Sequence, residues 1–431
     1  MMDLSNARAR ISLLALTAAM LSVQPASAAD TVTFRTWSPI VETTAKMVVA
    51  TEAKLPGIKV DYKIFNYPDY VVDLHTRAAS DDMPDLIGLE PGALTRQYQD
   101  FLLPLQDCAV KSWGADWKAK FFPLAVDQIR LGNVKGDENY YALPVLTQTI
   151  NMWYTIPVLK DAGLQPPKTY NDLLTMAKVL GPKGIAPMLV GAADGWERRD
   201  VYMQLIHNVA PGLIYKAEDG TAKFTDAPFV EAMKAWKKLF DDGVIQPGAL
   251  GLSVSPQAME LTEGGRAATF PQGAWWQQQA TRPNPPELSV ALNGFAPMLF
   301  PDVTAKGRPD DPLGGIDLMI GISKKSKHVE AACKVLADWI SGAGAQELIN
   351  TFNDLPAFKG INPQVYQSDN QKAVWKLFTE EWLPKVRYAR QLKSPAVKQA
   401  LEDALAAVAS GDQTPEQGMA VVQAAWQSQK N

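Results

Sequence analysis

Between residues 31 and 89 the chain switches back and forth between two periodicities, and few folds accommodate that pattern. Residues 31–36 put Val32, Phe34 and Thr36 on one face of a strand, and residues 41–54 follow as a helix that Pro56-Gly57 stops. Ile58-Lys59-Val60-Asp61-Tyr62-Lys63-Ile64 alternates again as a strand, and a second helix covers residues 68–79. Pro84-Asp85 then introduces the short apolar strand Leu86-Ile87-Gly88-Leu89. Strand, helix, strand, helix, strand predicts an α/β fold whose parallel sheet is covered by helices and whose ligands sit beyond the carboxyl ends of the strands. Trp37 and Glu90 are the residues that emerge there.

A new segment opens near Leu143-Pro144, and the C-terminal third reads as helical. Thr169-Tyr170-Asn171-Asp172 is a capping-box variant before Leu173, Leu174, Ala177 and Leu180, with Gly181 as the expected C′ residue. Phe229, Met233, Trp236 and Phe240 form one apolar stripe ended by Gly243, and Ala332, Val335, Leu336, Trp339 and Ile340 form another. Arg282-Pro283-Asn284-Pro285-Pro286 reads as a surface loop. Ser394 caps a helix with Pro395 at its first position and Gly411 at its end, and Thr414-Pro415-Glu416-Gln417 starts the last one.

A length of 431 residues with 47% hydrophobic residues allows two or three domains and excludes disorder. The formal charge is −4 and there is no basic run, which argues against a nucleic-acid partner. Cys108 and Cys333 are too few for a disulfide scaffold and are expected as two buried thiols, paired only in an oxidising compartment. Arg8 and Arg10, an apolar run over residues 11–23 and Ala26-Ser27-Ala28 read as a secretory signal peptide over residues 1–28. No cysteine stands near that cleavage site to carry a lipid, so the expectation is a periplasmic protein without an anchor.

Reaction machinery is not evident in the sequence. His75, His207 and His328 are scattered without metal-ligand spacing, and no nucleophile elbow, phosphate loop or dinucleotide fingerprint occurs, so no metal or cofactor is expected. Paired carboxylates, as in a glycoside hydrolase or lyase, remain open because they need only meet in space. Tryptophan is the conspicuous residue, with twelve in the chain. Trp236 and Trp339 lie on helical stripes and read as core. Trp37 and Trp275 sit in turns among polar residues and suit the apolar face of a sugar ring.

Taken in order, Leu55-Pro56-Gly57-Ile58-Lys59-Val60, Asp69-Tyr70, Met83-Pro84-Asp85-Leu86, Tyr141-Ala142-Leu143-Pro144, Trp153-Tyr154, Pro166-Pro167-Lys168-Thr169-Tyr170, Gly264-Gly265-Arg266-Ala267-Ala268, Gly273-Ala274-Trp275 and Gly314-Gly315-Ile316 resemble the extracellular solute-binding proteins of carbohydrate ABC transporters. The resemblance implies a periplasmic-binding-protein-like fold: two α/β lobes joined by hinge strands, with a sugar in the cleft and closure read by the permease subunits of an inner-membrane importer. It places one lobe at residues 30–144 and 294–347 and the other at 145–293 and 348–431. It puts Trp37, Glu90, Gln148, Trp275, Gly314 and Gly315 on cleft-facing loops or hinges, and more loosely Trp196, Arg198, Arg199, Asn353 and Asp354. Trp275 would stack on the sugar, while Glu90 and the amides of Gly314-Gly315 would bind hydroxyls. Tyr154-Thr155 and Gly273-Ala274-Trp275 depart mildly from the family's pattern, and Gln148 stands where a hinge glutamate is found in the family, so the identity of the sugar does not carry over. A monomer that is not an enzyme is expected. Arg198 and Arg199 leave open an acidic sugar or a glycerol phosphate as ligand, since a guanidinium fork suits anions.

Overall fold

A computed structural model describes residues 29–281, 294–306 and 312–429. The expected leader at residues 1–28 and the expected surface loop at 282–286 lie outside the described residues. Strand β1 (Asp30–Thr36) buries Val32, Phe34 and Thr36, and β2 (Ile58–Ile64) buries Ile58 and Val60 beside it in parallel. The helices Val41–Lys54 and Tyr67–Ser80 connect them to β3 (Leu86–Leu89), which pairs parallel with β1. All four residues of β3 are buried, as expected for a strand covered on both faces. The alternation in the sequence therefore becomes the architecture directly.

The middle of the chain supplies β4 (Ala142–Thr155), β5 (Ala186–Met188), β6 (Ala267–Gly273), β7 (Phe295–Met298), β8 (Leu313–Ile322) and β9 (Leu355–Pro356). They join the first three in a single mixed sheet of order β2-β1-β3-β8-β4-β6-β5, with β7 and β9 also paired to β4. Fourteen residues long and roughly 45 Å end to end, β4 changes partners along its length. Its first part pairs with β8 and β9, and its last part with β6 and β7. The ladder is irregular around Pro144, Leu146 and Thr147, where proline has no N–H to contribute. One strand thus carries the sheet from one half of the molecule to the other.

Two apolar cores flank this crossing. Phe34, Leu89, Phe121, Leu143 and Trp339 belong to the first, and Tyr202, Phe229, Trp236, Leu401 and Val422 to the second. Trp236 and Trp339 are fully buried. Residues 348–386, expected with the second half, pack with the first core through Leu348, Phe352, Trp375 and Phe378. Phe378 lies 5.7 Å from the Trp153 ring on β4, so this segment braces the underside of the crossing strand. The caps behave as their sequences indicate. Thr169 and Thr414 each close a capping box, and Ser394 accepts from the Val397 N–H. Gly181 differs from expectation: its φ is −51° because the helix tightens into a short turn over Gly181–Lys183, and Gly184 takes the left-handed position.

Cys108 and Cys333 form a disulfide with a Cα–Cα distance of 5.9 Å, linking the helices Gln106–Trp113 and Val329–Ser341. This corrects the expectation of two thiols. The helices pack against each other in the first core, so residues 225 positions apart arrive side by side. A bond closing so long a loop contributes about 2–4 kcal/mol. The double variant Cys108→Ser/Cys333→Ser is expected to melt several degrees below the parent. Thiol titration of the denatured, unreduced parent should find no free cysteine.

Candidate functional site

The carboxyl ends of the parallel strands open onto a cleft. Trp37 and Ser38 leave β1, Tyr67 begins the helix after β2, and Glu90 follows β3. Across from them stand Trp196, at the start of the helix Gly195–Val209, and Trp275, just beyond β6. These residues line a cavity of about 140 Å³ together with Ile40, Gln278, Asp317 of β8, Asn353 and Arg390. All four of its rings also line a wider groove of about 840 Å³ that continues from it. The site is therefore an aromatic slot with a polar floor.

Both walls are held in place. Trp37 meets Tyr67 edge-on at 5.3 Å and Tyr70 at 5.4 Å. Trp275 donates its indole N–H to Gln272 Oε1 at 2.6 Å, and Gln272 Nε2 donates to Glu197 Oε1 at 2.8 Å. Glu197 is buried and also accepts from the Gly191 N–H. Burial pushes its carboxyl well above the ordinary range, against those two bonds. The Trp196 and Trp275 rings meet edge-on at 6.2 Å. With its N–H committed to Gln272, Trp275 offers only ring surface to the cleft.

The floor is organised by Arg390, which is 5% exposed. Its Nε donates to Asp200 Oδ1 at 2.9 Å and one Nη to Gln148 Oε1 at 3.3 Å, with Asp317 Oδ1 at 3.6 Å. The guanidinium carbon lies 5.1 Å from the Trp275 ring centroid and 5.6 Å from that of Trp196. Although burial opposes its charge, Asp200, Glu90 and Asp317 keep Arg390 firmly protonated. Glu90 is 3% exposed; burial pushes it up, but Lys398, Arg390 and Arg199 hold it below its usual value. Arg390 and Lys398 thus pair with Asp200 and Glu90, and Asp317 is a third carboxylate within reach of Arg390. Burial, with Glu90 and Asp200 nearby, pushes it up to about 7 in spite of Arg390. Asp354, beside it in charge terms, is raised well above its ordinary value by burial and by Asp317.

Of the residues singled out from the sequence, Trp37, Glu90, Trp196, Trp275 and Asn353 line the cavity. Asn353 pins the turn after β1, donating to Ser38 Oγ at 3.2 Å and accepting from the Ile40 N–H at 3.3 Å. Gln148 lies beneath the floor and accepts from Arg390. Gly314 and Gly315 do not line the cavity. Gly314 donates to Tyr388 O at 3.3 Å and accepts from the Arg390 N–H at 3.1 Å, so it seats Arg390. Gly315 has φ +126°, and a Cβ there would collide with Gln128, so only glycine fits. Asp354 is fully buried behind the site, and its Oδ1 accepts from the Leu355 N–H at 2.9 Å.

Arg198 and Arg199 point elsewhere. Arg198 donates to the carbonyls of Ala192, Ala193 and Glu402, and Arg199 pairs with Glu402 while being fully buried. Sequence reasoning missed Tyr67, Gln278, Asp317 and Arg390. The rule that found Trp37 and Glu90 extends to Tyr67, and alternation two residues beyond Gly315 extends to Asp317. Arg390 lies in an irregular stretch and offers no such signal.

A family model described as bacterial extracellular solute-binding protein matches residues 37–347. The multiple sugar-binding protein of Streptococcus mutans is 24% identical over 325 residues, 74% of this chain and 73% of that protein. Among solved structures, a chitin oligosaccharide binding protein superimposes with a TM-score of 0.77 at 24% identity, covering 93% of this chain and 99% of the other. The maltose-bound MalE3 of T. maritima gives a TM-score of 0.76 at 17% identity, covering 93% and 100%.

The raised Asp317 has a consequence for stability. A carboxyl whose folded pKa exceeds its unfolded one favours the folded state fully below the unfolded value of 3.8 and loses that contribution as pH rises through about 7. The parent's melting temperature should therefore fall between pH 4 and 8 by a few degrees more than that of Asp317→Asn. Equal slopes in thermal melts of the two proteins would refute it.

Proposed function

The chain belongs to the family of bacterial extracellular solute-binding proteins, and from that premise we propose that it captures an uncharged oligosaccharide between two lobes and delivers it to the permease of an ABC importer. The carrying observation is the slot itself: Trp37 and Tyr67 on one side, Trp196 and Trp275 on the other, over a floor of carboxyl, amide and guanidinium groups. Indole faces match the C–H faces of pyranose rings, and the floor groups match their hydroxyls. The names of the relatives, which bind sugars of several kinds, support the same reading.

Charge supports a neutral ligand. Arg390 already has Asp200 and Asp317 as partners and occupies the cation position against the Trp196 and Trp275 rings. An acidic sugar or glycerol phosphate is not favoured, because neither arginine lines the cavity: Arg198 donates to three carbonyls and Arg199 pairs with Glu402. The family binds solutes, and we take this member to be a carrier that leaves its ligand intact. We further take it to be an exported, monomeric periplasmic protein, directed by the leader read at residues 1–28. No helix among the described residues is long and apolar enough to cross a membrane.

On this proposal the hinge is where β4 and β8 cross, with one lobe carrying Trp37, Tyr67 and Glu90 and the other Trp196 and Trp275. A ligand favours the closed form only through contacts it makes to both walls, since equal affinity for open and closed forms shifts nothing. Titration with maltotriose, chitotriose, xylotriose and raffinose, followed by tryptophan fluorescence, is expected to give saturable binding for at least one of them. No response to any would sink the proposal. Trp275→Ala should weaken that binding at least about ten-fold, as loss of a central aromatic anchor does. Product analysis after long incubation should recover the sugar uncleaved.

A further inference from the structure

Lys398 occupies a position that helix electrostatics disfavours. It stands in the first turn of the helix Pro395–Ser410, where the dipole presents its positive end, and its side chain is only 15% exposed. Burial lowers its pKa, and the carboxylate of Glu90 opposes that. Its Nζ donates to the Tyr67 hydroxyl at 3.1 Å and lies 3.8 Å from Glu90 Oε2. Tyr67 in turn donates to Glu90 Oε2 at 2.5 Å, and Gln391 Nε2 donates to Glu90 Oε1 at 2.7 Å. Tyr67 and Glu90 line the cavity, whereas Lys398 does not.

The partners come from different halves. The helix of Lys398 is anchored in the second core by Val397, Leu401 and Leu405, while Tyr67 and Glu90 follow strands of the first half. The halves touch closely beside this cluster. The Ala93 N–H donates to Leu392 O at 2.8 Å, and a Cβ on Gly92, which has φ +81°, would lie 2.3 Å from that same oxygen. Lys398 therefore reaches across a tight junction to grip the hydroxyl of a ring that faces the cleft.

We propose that Lys398 is a positioning residue for ligand capture: holding the Tyr67 hydroxyl from the opposite half, it fixes the ring against which the ligand packs and sets affinity without touching the ligand. The inference rests on the sugar-binding reading above. It also gives the two halves a tie that passes through a cavity-lining side chain. This hydrogen bond joins a cavity residue to the helix of the other core that carries Lys398.

A double-mutant cycle on the full chain tests it, using whichever of the four sugars gives the largest fluorescence change. Lys398→Met is expected to weaken binding about ten-fold, in line with loss of a charge-assisted hydrogen bond, and Lys398→Arg to restore most of it. Tyr67→Phe, which keeps the ring, should weaken binding similarly. Adding Lys398→Met to Tyr67→Phe should then cost little more, because the lysine acts through the missing hydroxyl. Losses that simply add, or unchanged affinity in Lys398→Met, would overturn the inference while leaving the parent's sugar binding in place. If the parent binds none of the sugars, the functional reading falls and this inference with it. Should Lys398→Met not fold, Lys398→Gln, whose amide is too short to reach Tyr67, replaces it in the same cycle with the same criteria.

Discussion

A guanidinium removed from water is costly unless every side of it is answered, and the cleft floor is the answer to Arg390. Asp200 comes from a helix of the second core, Gln148 and Asp317 from the two crossing strands, and Trp196 and Trp275 from the far wall. Its own backbone is bonded to Gly314. One side chain thereby sets the height of the floor, the tilt of two ring platforms and the spacing of the carboxyl groups. With Lys398 and Arg199, the field it creates holds Glu90 below its ordinary pKa despite burial, while Asp317 is left near the point of titration. The polar character of the site follows from where that one charge sits.

The frame that presents Arg390 is the shared sheet. Because β4 pairs with β8 and β9 at one end and with β6 and β7 at the other, neither half owns it. A Cβ at Gly314 would strike Gln148 O on β4, and one at Gly315 would strike the Gln128 side chain, so both positions admit a neighbour closer than a side chain would permit. The segment 348–386 then fills the space under the crossing with apolar side chains.

Local rules carried far in this sequence. Period-two and period-3.6 patterns set out β1 to β3 and their helices almost residue by residue, and the Thr169, Ser394 and Thr414 caps were legible because capping is decided within four residues. The same locality located Trp37, Glu90 and Trp275. What escaped was decided at a distance. The Cys108–Cys333 bond depends on two helices meeting 225 residues apart. Arg390 depends on partners from four separate segments, and the arginines at 198 and 199 on where Glu402 lies. A charged residue's sequence gives its chemistry but not its partner, and for buried charges the partner is the function.

The commitment of the Trp275 N–H to Gln272 carries a stereochemical consequence. An indole so tied has no donor left and presents a surface that neither gives nor takes a conventional hydrogen bond. A six-membered ring whose hydroxyls are all equatorial can lie flat on such a surface with only C–H bonds beneath it. One axial hydroxyl on the facing side must either shed its water without compensation or tip the ring away. For the ligand class proposed here, the configuration at each ring carbon is thus judged by a group that makes no polar contact at all.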